Sequence, residues 1–496
     1  MAMTATTIRC GAVRGRETQT KGVSEFLGIP YAQPPVGALR WHAPLPSLPW
    51  SGVRDCLDFG YSCWQRDNAD SPYFLKQMRE NPVKPRPLRM DEDCLSLNVW
   101  TAAETSKEKL PVMVWFYGGG LQGGTADDIL FDGEGLCPLG VVLVTVNYRT
   151  GVFGYFGHPA LAAEHPQHSS GNYGLQDQLL SLQWVHENIA AFGGDPENVT
   201  VFGCSGGGRS VQGICCSPFS KGLVHHAICH SAGGLNPDYS LPYADVLAYG
   251  EEFVAFCGKD SVAALRVLPA AELQAAYDRF RKQFNITGDG VYLPLTMDEM
   301  VRQGRQADVD YILSTMDDEI MFPLRQVPTL ANFPQHVFGG RSAIFGAVCR
   351  PENDREAALY AQKADSYEMK SAQLAWAETQ ARQDKKPVYL CTNVHRTPGT
   401  GLASHGDDQH YVFHTLHKFA TPYTEEDEQL SQTLMRYWTN FAKTGDPNGP
   451  GLDPWTPYTL HSPLTLTIDA GHCRMEDRSQ PVLERTALAY RENRRK

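Results

Sequence analysis

Residues 198–213 read NVTVFGCSGGGRSVQG, and the passage changes character at its middle. Val199-Thr200-Val201-Phe202 is a β-branched and aromatic run suited to a buried strand. Gly203-Cys204-Ser205-Gly206-Gly207 then offers almost no side-chain bulk. That boundary reads as a strand delivered into a G-x-S-x-G turn, with a helix following. A sharp strand-to-helix turn exposes its serine to an incoming base, and small neighbours let the backbone close there. Glycine-rich bends without such flanks are mostly structural. Here both flanks are present, so Ser205 is the candidate nucleophile.

Outward from this stretch the same punctuation recurs. KLPVMVWFYGGG (109–120) is an apolar run ending in glycines, and GVVLVTVNYR (140–149) is a second apolar run. GLQDQLLSLQWVHENIAAFGG (174–194) places Leu175, Leu179, Leu182, Val185 and Ile189 at helical spacing before a Gly-Gly stop. Earlier strands are expected around Ile8 to Val13, Val23 to Tyr31 and Leu95 to Thr101. KPVYLCTNV (386–394) reads as a returning central strand, and Arg66 to Asp93 reads as a polar, proline-bearing surface loop. Strand–helix alternation predicts an α/β chain with a mostly parallel sheet and helices on both faces. Chemistry in such a sheet sits at the carboxyl ends of its strands. Polar helical segments at 243–282, 355–382 and 424–443 suggest cap insertions within 235–300 and 320–385 of a single domain spanning 1–496.

A serine hydroxyl needs a base to take its proton, and acyl transfer needs donors for the oxyanion. Gly118, Gly119 and Gly120 follow a strand, and no Lys-Ser/Thr stands at the spacing of a phosphate-binding loop. N–H groups of this turn, with that of Gly206, form a candidate three-donor hole; losing one donor costs roughly 3–4 kcal/mol of transition-state stabilisation. His405, in GLASHGDDQHYVFHTL (401–416), occupies a glycine- and serine-flanked loop and is the candidate base. His410 and His414 fall on the more regular segment that follows and read as packing or surface residues. The acid lies between serine and histidine, and YILSTMDDEIMF (311–322) leaves Asp317, Asp318 and Glu319 as equal candidates. Three consecutive acids ordinarily make a solvated turn.

The 496 residues are 42% hydrophobic and carry a net charge of −12, with no polybasic segment. This balance argues against a nucleic-acid partner or an anionic-membrane contact. The N-terminal MAMTATTIRCGAVRGRE has no long apolar stretch, and no run approaches membrane-spanning length. The expected protein is therefore cytoplasmic, without a membrane anchor. Thirteen cysteines, odd in number and without C-x-x-C pairs, fit neither a zinc ribbon nor a fully paired disulfide scaffold.

GAVRGRE and VSEFLGIPYAQPPVGALRW near the start, EDCLSLNVWT, VNYRTGVFGYF, GNYGLQDQLLSLQWVHENIAAFGGDPENVTVFG and YWTNFAKTGDPNGP together resemble the type-B carboxylesterase family. That family includes cholinesterases and bacterial p-nitrobenzyl esterases, the latter being the nearer pattern. The resemblance implies an α/β-hydrolase fold and a serine carboxylesterase acting on a small-molecule ester, without metal or organic cofactor. By position it implies Ser205 as nucleophile, Glu319 as acid, His405 as base, and Gly119, Gly120 and Gly206 as oxyanion donors. Ser231, in CHSAGG, and Cys204 fall beside the reacting groups. Amide, carbamate or thioester hydrolysis by the same residues is the alternative. A non-enzymatic scaffold is disfavoured because all three reacting positions are kept.

Departures from the family pattern stand out. Cys204 replaces the usual Glu, Gly206 replaces Ala, and Arg209 stands where a small residue is common. Tyr117 occupies a position that is often His, and Ile320 replaces the Gly after the acid. The family's first disulfide maps onto Cys63 and Cys94. The partner of its second, at Cys257, maps onto Ala264, which fits a reducing compartment. The segment carrying the choline-stacking Trp in cholinesterases has only Trp64, beside the cysteine. A quaternary ammonium substrate therefore lacks its aromatic face.

Overall fold

The strand that ends at Cys204 lies inside a sheet of eleven strands. These assignments come from a computed structural model, which describes residues 2–67, 69–319, 329–333 and 343–492. In chain order the early strands are β1 (Ala5–Ile8), β2 (Gly11–Arg14), β3 (Arg16–Glu17), β4 (Ser24–Pro30) and β5 (Val53–Asp55). The central ones are β6 (Ser96–Thr101), β7 (Leu110–Phe116), β8 (Val142–Val146), β9 (Gly194–Cys204) and β10 (His226–His230). The last are β11 (Asp310–Met316), β12 (Val388–Asn393), β13 (Thr465–Asp469) and β14 (His472–Glu476).

The large sheet runs β14-β13-β12-β11-β10-β9-β7-β8-β6-β4-β3, while β1, β2 and β5 form a separate small sheet. Every pairing from β8 across to β13 is parallel. The outer pairings at both edges are antiparallel. Strands covered on both faces lose the in–out alternation of a half-exposed sheet. This is why VMVWF in β7 and VLVTV in β8 are buried at every position.

The chain moves outward from β7 to β8, then returns to place β9 on the other side of β7. Phe116 pairs with Gly203, so the two glycine-rich turns leave neighbouring strand ends at this switch point. Helices Tyr173–Asn188 and Gly206–Cys216 pack on each other and on β9. A continuous buried core runs from Ile8 to Tyr490.

Three local expectations need correction. The strand expected across Ile8 to Val13 is a hairpin, because Ile8 pairs with Gly11 and Thr6 with Val13. The expected loop at 66–93 contains a helix, Pro72–Glu80, whose first turn is capped by the Ser71 hydroxyl accepting from Phe74 N. Within the expected cap at 320–385, helix Ala364–Arg382 packs on β11 and β12 through a buried face that includes Ala372, Ala375 and Trp376. Residues 320–328 and 334–342 of that segment, including Ile320, lie outside the described residues. Between β10 and β11 lie helices Tyr243–Phe256, Val262–Arg266, Ala270–Arg279 and Met297–Arg302.

Candidate active site

Ser205 has φ 56° and ψ −120°, a sparsely populated conformation for a residue with a side chain. The fold enforces it from two sides. Ser205 N donates to His230 O at 2.9 Å. At Gly207, any Cβ would lie 1.9 Å from Phe116 O, so only glycine lets the helix start this close to β7.

The glycine turn after β7 sits directly against this tip. A Cβ on Gly206 would lie 2.7 Å from Leu121 N and 2.8 Å from Gly120 N. Among the described residues, the N–H groups of Gly119, Gly120 and Gly206 find no acceptor within the protein. Tyr117 and Tyr148 hold the root of the turn. Their rings stack with centroids 4.4 Å apart, and each hydroxyl donates to the other's carbonyl, at 3.2 and 2.7 Å. Gln65 clamps the far end, accepting from Gly124 N at 2.7 Å and donating to Gly124 O at 2.8 Å.

His405 Nδ1 meets Glu319 Oε2 at 2.6 Å, and Glu319 is fully buried. The other Glu319 oxygen accepts from Met316 N at 2.7 Å, and Glu319 N donates to the Ser366 hydroxyl at 2.8 Å. His405 Nε2 is buried without a partner among the described residues. Ser205 and His405 line one cavity of about 790 Å³, together with Gly118, Gly119 and Gly120. Burial opposes a charge on His405, but Glu319, backed by Asp408 and Asp365, outweighs it and holds the imidazole above its ordinary 6.5.

Asp317 and Asp318 are not a solvated turn. Burial opposes the charge on Asp317, yet Lys370, Lys363 and Arg478 hold its carboxyl down at about 2. Asp318 binds Lys363, accepts from Arg396 Nη1 at 3.1 Å and from Ala403 N at 3.2 Å, and its own N–H donates to Ala403 O at 3.0 Å. These bonds fasten the acid loop to the loop that carries His405.

Cys204 and Ser231 also border the cavity. Burial, then Asp408 and Glu319, push the Cys204 thiol well above its ordinary 9.0, so it stays protonated. Ser231 is buried with φ 47°, its N–H donates to Ser314 O at 2.7 Å, and its hydroxyl has no partner among the described residues. His410 packs edge-on against Phe419, and His414 bonds Ser431 at 2.9 Å; neither lines the cavity. Trp64 packs on the core and is also absent from the lining. Cys63 and Cys94 are buried free thiols.

The sequence signature of the carboxylesterase family matches residues 2–342 and 352–483. The chain belongs to the carboxylesterase family. It is 32% identical over 534 residues to a medium-chain fatty acyl-CoA hydrolase precursor of Anas platyrhynchos, covering 98% of this chain and 93% of that protein. It is 35% identical over 492 residues to a cocaine esterase of Homo sapiens, covering 90% and 85%. With carboxylesterase 5A of Canis lupus familiaris it shares 33% over 512 residues, covering 93% and 86%. These relatives are avian and mammalian rather than bacterial p-nitrobenzyl esterases. The chain is thus a carboxylic ester hydrolase of the α/β-hydrolase fold.

Several supports of this carboxylesterase's site escaped the reading of its sequence. His230 Nε2 accepts from Trp438 Nε1 at 3.0 Å, so its proton is on Nδ1, donated to Asp408 Oδ2 at 2.7 Å. The carbonyl that holds Ser205 and the loop that holds His405 are thereby joined. Arg149 and Asp177 form a buried bidentate pair, at 2.8 and 2.7 Å, between the end of β8 and helix Tyr173–Asn188. Both lie in the quoted VNYR and GLQDQ segments, a signal available in the sequence. Nothing in the sequence marks Gln65 or His230. Among the described residues, no group of three or more His, Cys, Asp or Glu side chains is arranged to hold a metal ion, and no helix is long and apolar enough to cross a membrane.

Proposed function

We propose that this ester hydrolase works in two steps through an acyl-enzyme on Ser205. His405 Nε2 takes the Ser205 proton as Oγ attacks the ester carbonyl, and Gly119, Gly120 and Gly206 N–H groups receive the oxyanion. Glu319 holds His405 with Nδ1 protonated and stabilises the imidazolium. The imidazolium then protonates the departing alkoxide, and the same nitrogen activates water to release the acid. The observation that carries this reading is the 2.6 Å His405–Glu319 contact beside a strained serine, in a cavity lined by the glycine turn.

The test is turnover of p-nitrophenyl acetate or butyrate together with peptide mapping after an organophosphate. A single adduct on Ser205 and an inert Ser205→Ala variant are expected. Turnover that survives Ser205→Ala refutes the assignment. Similarity to a fatty acyl-CoA hydrolase supports a second substrate class, thioesters, cleaved by the same steps. A panel of acyl-CoA chain lengths against matched ethyl esters separates the two.

We also assign the protein to the cytoplasm. Ala264 stands where the second family disulfide needs a cysteine, which supports a reducing compartment. Counting alkylated thiols by mass without reductant checks this, and a bonded Cys63–Cys94 pair counts against it.

A further inference from the structure

Arg209 stands one helical turn beyond Ser205, and its N–H donates to Ser205 O at 3.0 Å. Helical side chains lean toward the helix N-terminus, which here is the serine tip. The guanidinium lines the same cavity as Ser205 and His405, with Nη2 3.8 Å from where a Cβ on Gly120 would sit. Among the described residues it makes no hydrogen bond and no ion pair. The cations around Glu319 differ: Lys363, Lys370, Arg396 and Arg478 each bind Asp317 or Asp318.

The groups that bear on Arg209's charge are Tyr239, Tyr155 and Tyr148. Burial raises the value of all three phenols, so they stay neutral and none is a counter-ion. Cys204, where the family commonly places a carboxylate, is neutral as well. The Tyr239 ring, 6.0 Å from the guanidinium carbon, gives the fork an aromatic wall. Leaving a guanidinium unpaired in a partly desolvated site is unfavourable, and its planar fork matches a carboxylate.

Asp238, Asp365 and Glu368 also line the cavity. Asp238 is at its exposed mouth, and Glu368 accepts from Asn236 Nδ2 at 2.8 Å. With these acids present the cavity has no general attraction for anions. A ligand gains only by touching Arg209 directly.

We propose that Arg209 is a specificity residue that binds a carboxylate carried by the substrate, so that the favoured esters are anionic, with mono-esters of short dicarboxylic acids as the leading class. The proposal rests on hydrolysis at Ser205. The leaving alkoxide must face His405, while Arg209 reaches the Gly120 side of the serine, which favours a carboxylate on the acyl part.

The experiment compares monoethyl succinate, glutarate and adipate with their uncharged mono-amides, ethyl succinamate, glutaramate and adipamate. A second arm compares 4-acetoxybutanoate with 4-acetoxybutanamide, where the charge is on the alcohol part. In the parent, kcat/KM should favour the charged member of at least one acyl-arm pair. In Arg209→Met that preference should fall about 10- to 100-fold, the worth of one charge-assisted contact. The charged-to-neutral ratio within each pair is the readout, and Arg209→Lys should recover part of the preference. Loss of both members together, no change in the ratio, or a preference found only in the alcohol arm overturns the proposal. Competitive inhibition of the parent by adipate over adipamide needs no variant, and equal inhibition also overturns it. Organophosphate labelling of Ser205 in the parent reports separately on the site itself, so a labelling failure is distinguishable from a failure of Arg209.

Discussion

Replacing Gly206 with alanine adds one methyl group where the serine turn meets the glycine turn. Its Cβ would lie 2.7 Å from Leu121 N and 2.8 Å from Gly120 N, and both neighbours are backbone. Neither can rotate away. Reaching the 3.4 Å of an ordinary contact requires the glycine turn to retreat by 3.4 − 2.7 = 0.7 Å. A hydrogen bond of roughly 2.9 Å from Gly120 N–H to the oxyanion then stretches past about 3.5 Å and is lost. Losing one such donor costs about 2.7–4 kcal/mol, or roughly 10²–10³ in kcat. Moving backbone also costs stability, and helix propensity offsets only part of it. Gly206 opens a helix without positive φ, and alanine is the better helix former by up to about 1 kcal/mol. The expected result is a lower kcat for p-nitrophenyl butyrate with a melting temperature no higher than the parent's. It is expected even though alanine is the residue common at this position in the family. A variant that keeps kcat within threefold of the parent refutes the claim that this missing side chain sets the donor's position.

Four further outcomes follow from the site. Cys204→Ala should keep most esterase activity, because the thiol is held protonated; a dead Cys204→Ala beside an active Ser205→Ala would reverse the roles. Glu319→Gln should lower kcat by about 10⁴, since the amide neither fixes the tautomer nor stabilises the imidazolium, and steady-state kinetics on folded protein checks it. The kcat/KM–pH profile should rise with a midpoint above 6.5, because raising the His405 value leaves less neutral base at a given pH. Asp408→Asn removes one negative neighbour, so it should move that midpoint down, and an upward move contradicts the charge assignment. Asp317, held at about 2, contributes stability that is present above its ordinary 3.8 and lost as pH falls through about 2. Asp317→Asn should therefore melt earlier than the parent at pH 7, with the gap closing near pH 2; equal melting curves at pH 7 count against the ion-pair network.

Three kinds of feature were readable along the chain. The apolar runs of β7, β8 and β9, the helical spacing from Leu175 to Ile189, and the glycines flanking Ser205 all act within a few residues. Propensity, periodicity and permitted φ values are local properties, so they survive without the rest of the fold. The segment at 66–93 failed at the same scale, because its polar and proline content hid a single capping serine at the start of a helix.

By itself the sequence determined the class of fold and the position of the serine turn, because both follow from which backbone conformations a short stretch allows. It also carried the family resemblance, but the chemistry of YILSTMDDEIMF could not rank Asp317, Asp318 and Glu319. Only the tertiary structure set Glu319 against His405, 86 residues further along, and bound its two neighbours to lysines and arginines instead. The same is true of His230 under Ser205 and of Arg209 facing the cavity without a counter-ion. Which acid meets which base, and which cation goes unpaired, depends on the directions of side chains from strands and loops far apart in sequence. Those directions are set by how the elements pack, and no local pattern encodes them.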